Sequence, residues 1–366
     1  MKQDPGQEPG AGQTGKAPLR RKTRPVKAGP LIIGGGFPIS LQTMAKKPLH
    51  RTGIPAALAE LEELSRLGCG LCRFSVPTET EAELFVKLCE QSPMPLAADI
   101  HFDHRLALKC LEGRAAKIRI NPGNIGPRWK VAEVAAAAAD KGAAIRVGIN
   151  AGSLPTALRR EPDKAGAMVR AALEELNTLE SLGFRGIVFS LKASDPDITV
   201  AACRDFAGLC DYPLHLGVTE AGGLVPGLVK SSLALYRLLS RGIGDTLRVS
   251  LCDSPALEVQ AGAEILKTIG LREGLNVISC PRCGRSCFDE DWRFLEKAAA
   301  YCATLNKKGV VAVMGCPVNG PEEARHADLG ITGAAGEVHI YRRGRLKTKT
   351  SPEKAWEVFK RELDEL

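Results

Sequence analysis

From about residue 38 to residue 270 the chain alternates between two patterns. Short runs rich in apolar residues read as strands at 39–44, 71–76, 95–100, 117–121, 145–150, 187–192, 213–218 and 246–251. Each is followed by a segment whose apolar positions recur every three or four residues, at 55–67, 79–91, 103–112, 129–141, 164–182, 197–208, 225–241 and 255–269. That period is helical. Strands alternating with amphipathic helices pair in parallel through right-handed crossovers. Eight such units in about 230 residues is the size of a TIM (β/α)8 barrel, an α/β fold. An open doubly wound sheet is the second reading. Gly34-Gly35-Gly36 lacks dinucleotide-binding spacing and reads as a turn.

Inside the strands the side chains alternate faces. One parity is apolar and faces the helices: Cys72, Phe74 and Val76; Ile118 and Ile120; Ile145, Val147 and Ile149; Leu247, Val249 and Leu251. The other parity carries Arg73, Asp99, His101, Arg119, Asn121, Arg146, Asn150, Ser190, Lys192, His215, Thr219, Arg248 and Ser250. These point into the barrel, where Val, Ile and Leu are usual. Burying that many cations without counter-charge is prohibitive, and Asp99 and Glu220 cannot balance them. A polyanionic ligand at the C-terminal ends of the strands would, and arginine forks suit its phosphate oxygens.

Past residue 271 the pattern changes. Residues 289–305 read as a helix and 310–314 as a short buried strand leading into Cys316. Segments 337–341 and 345–350 flank Arg342-Arg343-Gly344 and read as a hairpin. Ser351-Pro352-Glu353 reads as the start of a terminal helix. The chain thus divides into an arm (1–28), a barrel (29–270) and a small α+β domain (271–366). That last domain holds Cys280-x-x-Cys283 and, downstream, Cys316 followed by Glu322 and Glu323. Three thiolates and a weaker ligand suit an iron–sulfur cluster with one iron open to substrate. Zinc is the rival, its site completed by Cys287 or His326.

Composition changes this picture little. The net charge of +8 comes partly from the arm, which is basic between residues 16 and 27 and rich in Gly, Pro and Gln, and which reads as disordered. The arm has no aromatic residues, which argues against nucleic-acid binding. Cys69, Cys72, Cys89, Cys110, Cys203, Cys210 and Cys302 read as buried free thiols. No stretch is long and apolar enough to cross a membrane, no secretory signal opens the chain, and a cytoplasmic location is expected.

Several motifs together resemble one family. They are Arg-Phe-Ser-Val-Pro (73–77), Ala-Asp-Ile-His-Phe-Asp (98–103), Arg-Ile-Asn-Pro-Gly-Asn-Ile-Gly (119–126) and Arg-Val-Gly-Ile-Asn-Ala-Gly-Ser-Leu (146–154). Ser-Leu-Lys-Ala-Ser-Asp (190–195), His-Leu-Gly-Val-Thr-Glu-Ala-Gly-Gly (215–223), Gly-Ile-Gly-Asp-Thr-Leu-Arg-Val-Ser-Leu (242–251) and both cysteine segments complete the set. In this order the chain resembles the bacterial 4-hydroxy-3-methylbut-2-enyl diphosphate synthases of the non-mevalonate isoprenoid pathway, over roughly residues 21–350.

The resemblance implies a TIM barrel joined to a domain like the cluster-binding half-domains of sulfite and nitrite reductases. It implies one 4Fe-4S cluster on Cys280, Cys283, Cys316 and Glu323, and a head-to-tail homodimer. It implies two-electron reductive ring opening of 2-C-methyl-D-erythritol 2,4-cyclodiphosphate to (E)-4-hydroxy-3-methylbut-2-enyl diphosphate plus water, fed by flavodoxin or ferredoxin. Carried over residue by residue, the diphosphate site falls on Arg73, Arg119, Arg146, Asn150, Lys192, Arg248 and Ser250, with Thr219 nearby. Glu220 matches the family's acid near the cluster, and Glu323 matches the ligand that yields its iron to the substrate oxygen. Pro317, Glu322 and the segment 45–51 depart from the family pattern. A zinc-stapled barrel that binds a phosphometabolite, with a regulatory or scaffold role, is the alternative from another class.

Overall fold

The computed structural model describes residues 18–280, 285–286, 293–305, 307–334 and 336–366. It divides into two compact units, Met1–Arg272 and Glu273–Leu366.

In the first unit a short antiparallel hairpin, β1 (Val26–Ala28) and β2 (Leu31–Ile33), precedes eight parallel strands. These are β3 (Ser40–Met44), β4 (Cys69–Ser75), β5 (Leu96–Asp99), β6 (Lys117–Ile120), β7 (Ala144–Asn150), β8 (Ile187–Lys192), β9 (His215–Leu216) and β10 (Thr246–Leu247). They run in the order β8-β7-β6-β5-β4-β3-β10-β9. A parallel bridge between Phe189 and Leu214 joins the two ends of that order. The ring is a TIM barrel.

Its helices are the single turn α1 (Leu49–Thr52), α2 (Ile54–Arg66), α3 (Glu79–Gln91), α4 (His104–Glu112), the single turn α5 (Pro122–Ile125), α6 (Arg128–Lys141), α7 (Lys164–Ser181), α8 (Pro196–Ala207), α9 (Leu224–Leu239) and α10 (Pro255–Thr268). Side-chain caps start several of them. Thr78 accepts from the Glu81 amide, Asp103 from Arg105, Asp195 from Asp197 and Ser254 from Leu257. Each cap satisfies an amide that the helix cannot. Pro196 and Pro255 stand in the first turn, where no amide is needed.

The apolar strand parity lies against these helices as the alternation requires. Phe74, Ile118, Ile145, Phe189, Leu216 and Val249 belong to one buried sheet–helix core. The other face begins with a small apolar plug. Leu71, Ala97, Ala144 and Val188 meet Val26, Ala28 and Ile33 of the β1–β2 hairpin. Burying Val26 and Ile33 this way contributes about 1.5–3 kcal/mol each.

This corrects the arm. Residues 18–28 are built into the barrel's end. Arg20 pairs with Asp245 at 2.9 Å. Arg21 donates to the carbonyls of Ala207 (2.9 Å) and Tyr212 (2.7 Å). Arg24 bonds Asp211 at 2.8 Å with its guanidinium 4.0 Å from the centre of the Tyr212 ring. A composition rich in Arg, Lys and Pro reads as solvated only while its acceptors, more than 180 residues away, are unknown.

The second unit is a five-stranded sheet in the order β11-β12-β13-β14-β15: β11 (Leu275–Ser279), β12 (Gly309–Met314), β13 (Leu329–Ala334), β14 (Glu337–Arg342) and β15 (Arg345–Thr350). The first three are parallel and the last two antiparallel. Helices α11 (Phe294–Thr304) and α13 (Ala355–Asp364) cover one face through Phe294, Phe359 and Leu363. Helix α12 (Gly320–His326) leads from Cys316 toward β13. The hairpin forms as its pattern requires. Helix α13 begins at Ala355, later than Ser351-Pro352 suggests, because Ser351 to Lys354 close a turn of their own through a 3.2 Å backbone bond. The first residues of the expected 289–305 helix lie outside the described residues.

Candidate active site

The polar side of the barrel strands is a cationic well. Arg119, Arg146, Lys192 and His215 are buried, and Arg73 is 14% exposed at its side chain. Two glycines make room for them. A Cβ on Gly148 would lie 2.5 Å from Arg119 Nε, and one on Gly217 would lie 2.8 Å from Lys192 Nζ. Asp99 is the central carboxylate. It pairs with Arg119 at 3.1 Å and with Arg73 at 3.5 Å, and the half-buried His101 stands 3.6 Å away. Burial alone would raise the Asp99 pKa, but Arg73, His101, Arg119 and Arg146 outweigh it and hold the carboxyl well below its ordinary range.

The cations exceed the counter-charge. Arg146 donates to Ser190 at 2.7 Å, yet its Nε and one terminal nitrogen have no partner among the described residues. Burial, and then the neighbouring Arg73 and Arg119, hold its pKa well below the usual arginine value. Burial also lowers Lys192, as do Arg146, Arg248 and Arg73, and it lowers Arg73 to about 10. An anion in the well would relieve all three at once.

Two residues of this site were not singled out from sequence. Lys117 is fully buried and donates to Gln42 at 2.9 Å. It shares the parity of Arg119 and Asn121, so the signal was present. Glu258, on α10, accepts from both Arg248 Nε and a terminal nitrogen at 2.9 Å each, from Thr43 at 2.7 Å and from Lys46 at 2.6 Å. Nothing local in the helical pattern marks that role. At the rim Asn150, Thr219, Arg248 and Ser250 are half-buried. Glu220 is exposed and takes a left-handed backbone (φ +53°). That conformation costs a non-glycine residue about 1–2 kcal/mol.

The cysteines of the two units separate by environment. Burial pushes the thiols of Cys69, Cys110 and Cys203 in the barrel up to about 11, 12 and 12. Cys316 goes the other way, because backbone amides of Asn319, Val318 and Gly320 point at its sulfur and lower its pKa. A thiol held toward thiolate is what a soft-metal site needs. The Gly315 amide lies 3.5 Å from Cys280 Sγ, so Cys280 sits beside the turn that carries Cys316. Cys283 and Cys287 lie outside the described residues. Among the described residues no three candidate metal donors converge. Glu322 is engaged along α12 with Arg325 (3.1 Å) and His326 (3.6 Å). Glu323, one residue on, is exposed and has no ion pair among the described residues.

Comparison with known proteins decides the family. Residues 23–263 match the model of the GcpE TIM-barrel domain, and residues 276–365 match that of the GcpE protein C-terminal domain. The chain belongs to the GcpE family. Its curated relatives carry the name 4-hydroxy-3-methylbut-2-en-1-yl diphosphate synthase (flavodoxin). The protein of Treponema denticola is 46% identical over 365 residues, covering 92% of this chain and 94% of the relative. That of Geobacillus kaustophilus is 45% identical, covering 95% and 93%, and that of Bacillus subtilis 44%, covering 94% and 92%. Among solved structures, dihydropteroate synthase of Xanthomonas albilineans superposes with a TM-score of 0.50 at 16% identity, over 67% of this chain and 97% of its own. That likeness concerns the barrel fold alone. As a GcpE chain, the protein is an iron–sulfur oxidoreductase, and among its described residues no helix is long and apolar enough to cross a membrane.

Proposed function

We propose that the chain carries out the two-electron reductive ring opening of 2-C-methyl-D-erythritol 2,4-cyclodiphosphate to (E)-4-hydroxy-3-methylbut-2-enyl diphosphate and water. The cationic well carries this reading. Buried Arg119, Arg146 and Lys192, with Arg73 beside them, outnumber Asp99, and Arg146 keeps two nitrogens without a partner among the described residues. A diphosphate supplies the missing counter-charge. In the proposal Arg73, Arg119, Arg146 and Lys192 hold its oxygens, while Asn150, Thr219, Arg248 and Ser250 orient it from the rim. Hydrogen bonds to charged groups of this kind contribute about 1.5–3 kcal/mol each. The cations also stabilise the phosphate oxygen as it takes up charge from the breaking carbon–oxygen bond.

The second unit would hold a 4Fe-4S cluster through Cys280, Cys283, Cys316 and Glu323. The lowered Cys316 thiol and the neighbouring Cys280 fit such a group. When bound, the cluster supplies electrons singly and a Lewis-acidic iron. Glu220 would deliver the proton that lets the hydroxyl leave as water, and its strained backbone fits a functional role. Glu323, without an ion pair among the described residues and beside the engaged Glu322, is the weaker ligand.

The names of the relatives support flavodoxin as donor. We place the reaction in the cytosol, where thiols stay reduced, and in a head-to-tail homodimer. Nothing in the relatives supports a zinc-stapled regulatory barrel. The test is an anaerobic assay of the purified chain with the cyclodiphosphate and reduced flavodoxin, with product identified by mass. A brown protein that forms the hydroxybutenyl diphosphate is expected. A colourless zinc protein without turnover would reject the proposal.

A further inference from the structure

One strongly charged surface takes no part in the reading above. Strands β14 and β15 turn on Arg343 and Gly344, at φ +45° and +79°. Positive φ at both positions makes this a tight two-residue hairpin turn. Five of the eight residues 342–349 are Arg or Lys, and none is acidic. The unit as a whole is not basic, since residues 273–366 hold 15 Lys and Arg against 14 Asp and Glu. The charge is therefore concentrated at this tip.

Arg342 is tied back to Glu362 (3.2 Å) and Glu365 (3.1 Å). Arg343, Arg345 and Lys347 are exposed and take no ion pair among the described residues. With the exposed Leu346 they line an open groove of about 620 Å³ beside the edge strand β15. Unpaired cations around an apolar side chain fit a partner surface of opposite charge. The tip also touches α12. A Cβ on Gly344 would lie 3.1 Å from the Arg325 carbonyl oxygen, and Arg325 follows Glu323 by two residues, or about 3 Å of helix rise.

We infer that this hairpin tip, with the exposed end of α12, docks an acidic electron-carrier protein of the flavodoxin class. The inference rests on the function proposed above and names the surface through which it is supplied. Each reduced carrier gives up one electron and leaves oxidised, and two encounters deliver the two electrons of one turnover. Opposite charge steers the encounter, so the association rate and its salt dependence reside in these side chains.

The test uses the anaerobically purified holoenzyme and the variant R343E/R345E/K347E, whose positions are exposed and outside the proposed catalytic machinery. Flavodoxin affinity is measured by titration at low and high salt. Turnover is measured with reduced flavodoxin and, separately, with reduced methyl viologen. In the variant, affinity should fall roughly tenfold or more at low salt, the salt dependence should flatten, and turnover with methyl viologen should be unchanged. Unchanged affinity and salt dependence would overturn the inference. So would a loss of binding confined to a mixed-sequence RNA oligonucleotide. A wild-type chain inactive with both reductants would fail the proposed function instead, and the titration would still decide the docking surface.

Discussion

Glu258 grips Arg248 through two hydrogen bonds of 2.9 Å, one to each carboxylate oxygen. The carboxylate comes from α10 and the guanidinium from just past β10, so the helix after the last barrel strand aims a rim arginine of the well. Lys46 and Thr43 complete the same carboxylate. Burial would raise the Glu258 pKa, but the bonds from Arg248, Lys46 and Thr43 lower it. The group is therefore an anion throughout the physiological range.

Removing it leaves Arg248 part-buried without its counter-charge. Breaking a buried pair from one side costs about 3–5 kcal/mol. Glu258→Ala should lower stability by that order in urea unfolding and raise the KM for the cyclodiphosphate through a misplaced Arg248. Wild-type stability together with wild-type KM would remove Glu258 from the site.

Arg146 should behave in the opposite sense. It is buried with two nitrogens unpartnered among the described residues, and the cations around it disfavour its charge. Removing this charge relieves its burial and its repulsion by Arg73 and Arg119, and a methionine of similar length still fills the space. Arg146→Met should thus fold with an unchanged or higher Tm. It should also raise the KM by roughly 10- to 100-fold, the equivalent of one lost charge-assisted bond. A variant that melts lower and binds normally would show that Arg146 is structural.

Much of this site was legible from period-two alternation, because a strand fixes the face of every residue once one is known. The eight βα units followed from the switch between periods two and 3.6, and the polar parity identified Arg73, Arg119, Arg146 and Lys192 as neighbours. What was not legible is non-local. Glu258 is one acidic position on an amphipathic helix, and only the closure of β10 against β3 brings it to Thr43. Arg20, Arg21 and Arg24 looked solvated because their acceptors lie at the far end of the barrel sequence. Lys117 was within reach of the parity rule, but it stands at the first residue of its strand, where the rule is easiest to stop short.

Glu175 on α7 gives a pH signature. One of its carboxylate oxygens is buried without a partner among the described residues, and burial, with Glu174 adding repulsion, pushes its pKa up to about 7. The folded chain holds the proton more tightly than the unfolded chain. The group's contribution is therefore fully present below the ordinary value of 4.5 and is lost as pH rises to about 7. Glu175→Gln cannot ionise. It should raise Tm relative to wild type at pH 8 and leave it nearly unchanged at pH 4.5. An equal shift at both pH values would show that ionisation of this carboxylate has no part in stability.

The adjacent pair Glu322 and Glu323 should separate cleanly. Glu322 spends its carboxylate on Arg325 and His326 along α12. Both partners are exposed, so its removal costs at most about 0.5 kcal/mol. Glu322→Ala should keep iron content, visible absorption and turnover near wild type. Glu323 is proposed as the fourth ligand, and Glu323→Ala leaves three thiolates to hold the cluster. The variant should still fold around the buried α12 contact at Ala324, with an altered electron paramagnetic resonance spectrum, reduced iron retention and turnover lost. Iron analysis and spectroscopy read the ligand role independently of activity. If Glu322→Ala shows these losses and Glu323→Ala does not, the ligand is Glu322, and the ion pairs along α12 must break when the cluster binds.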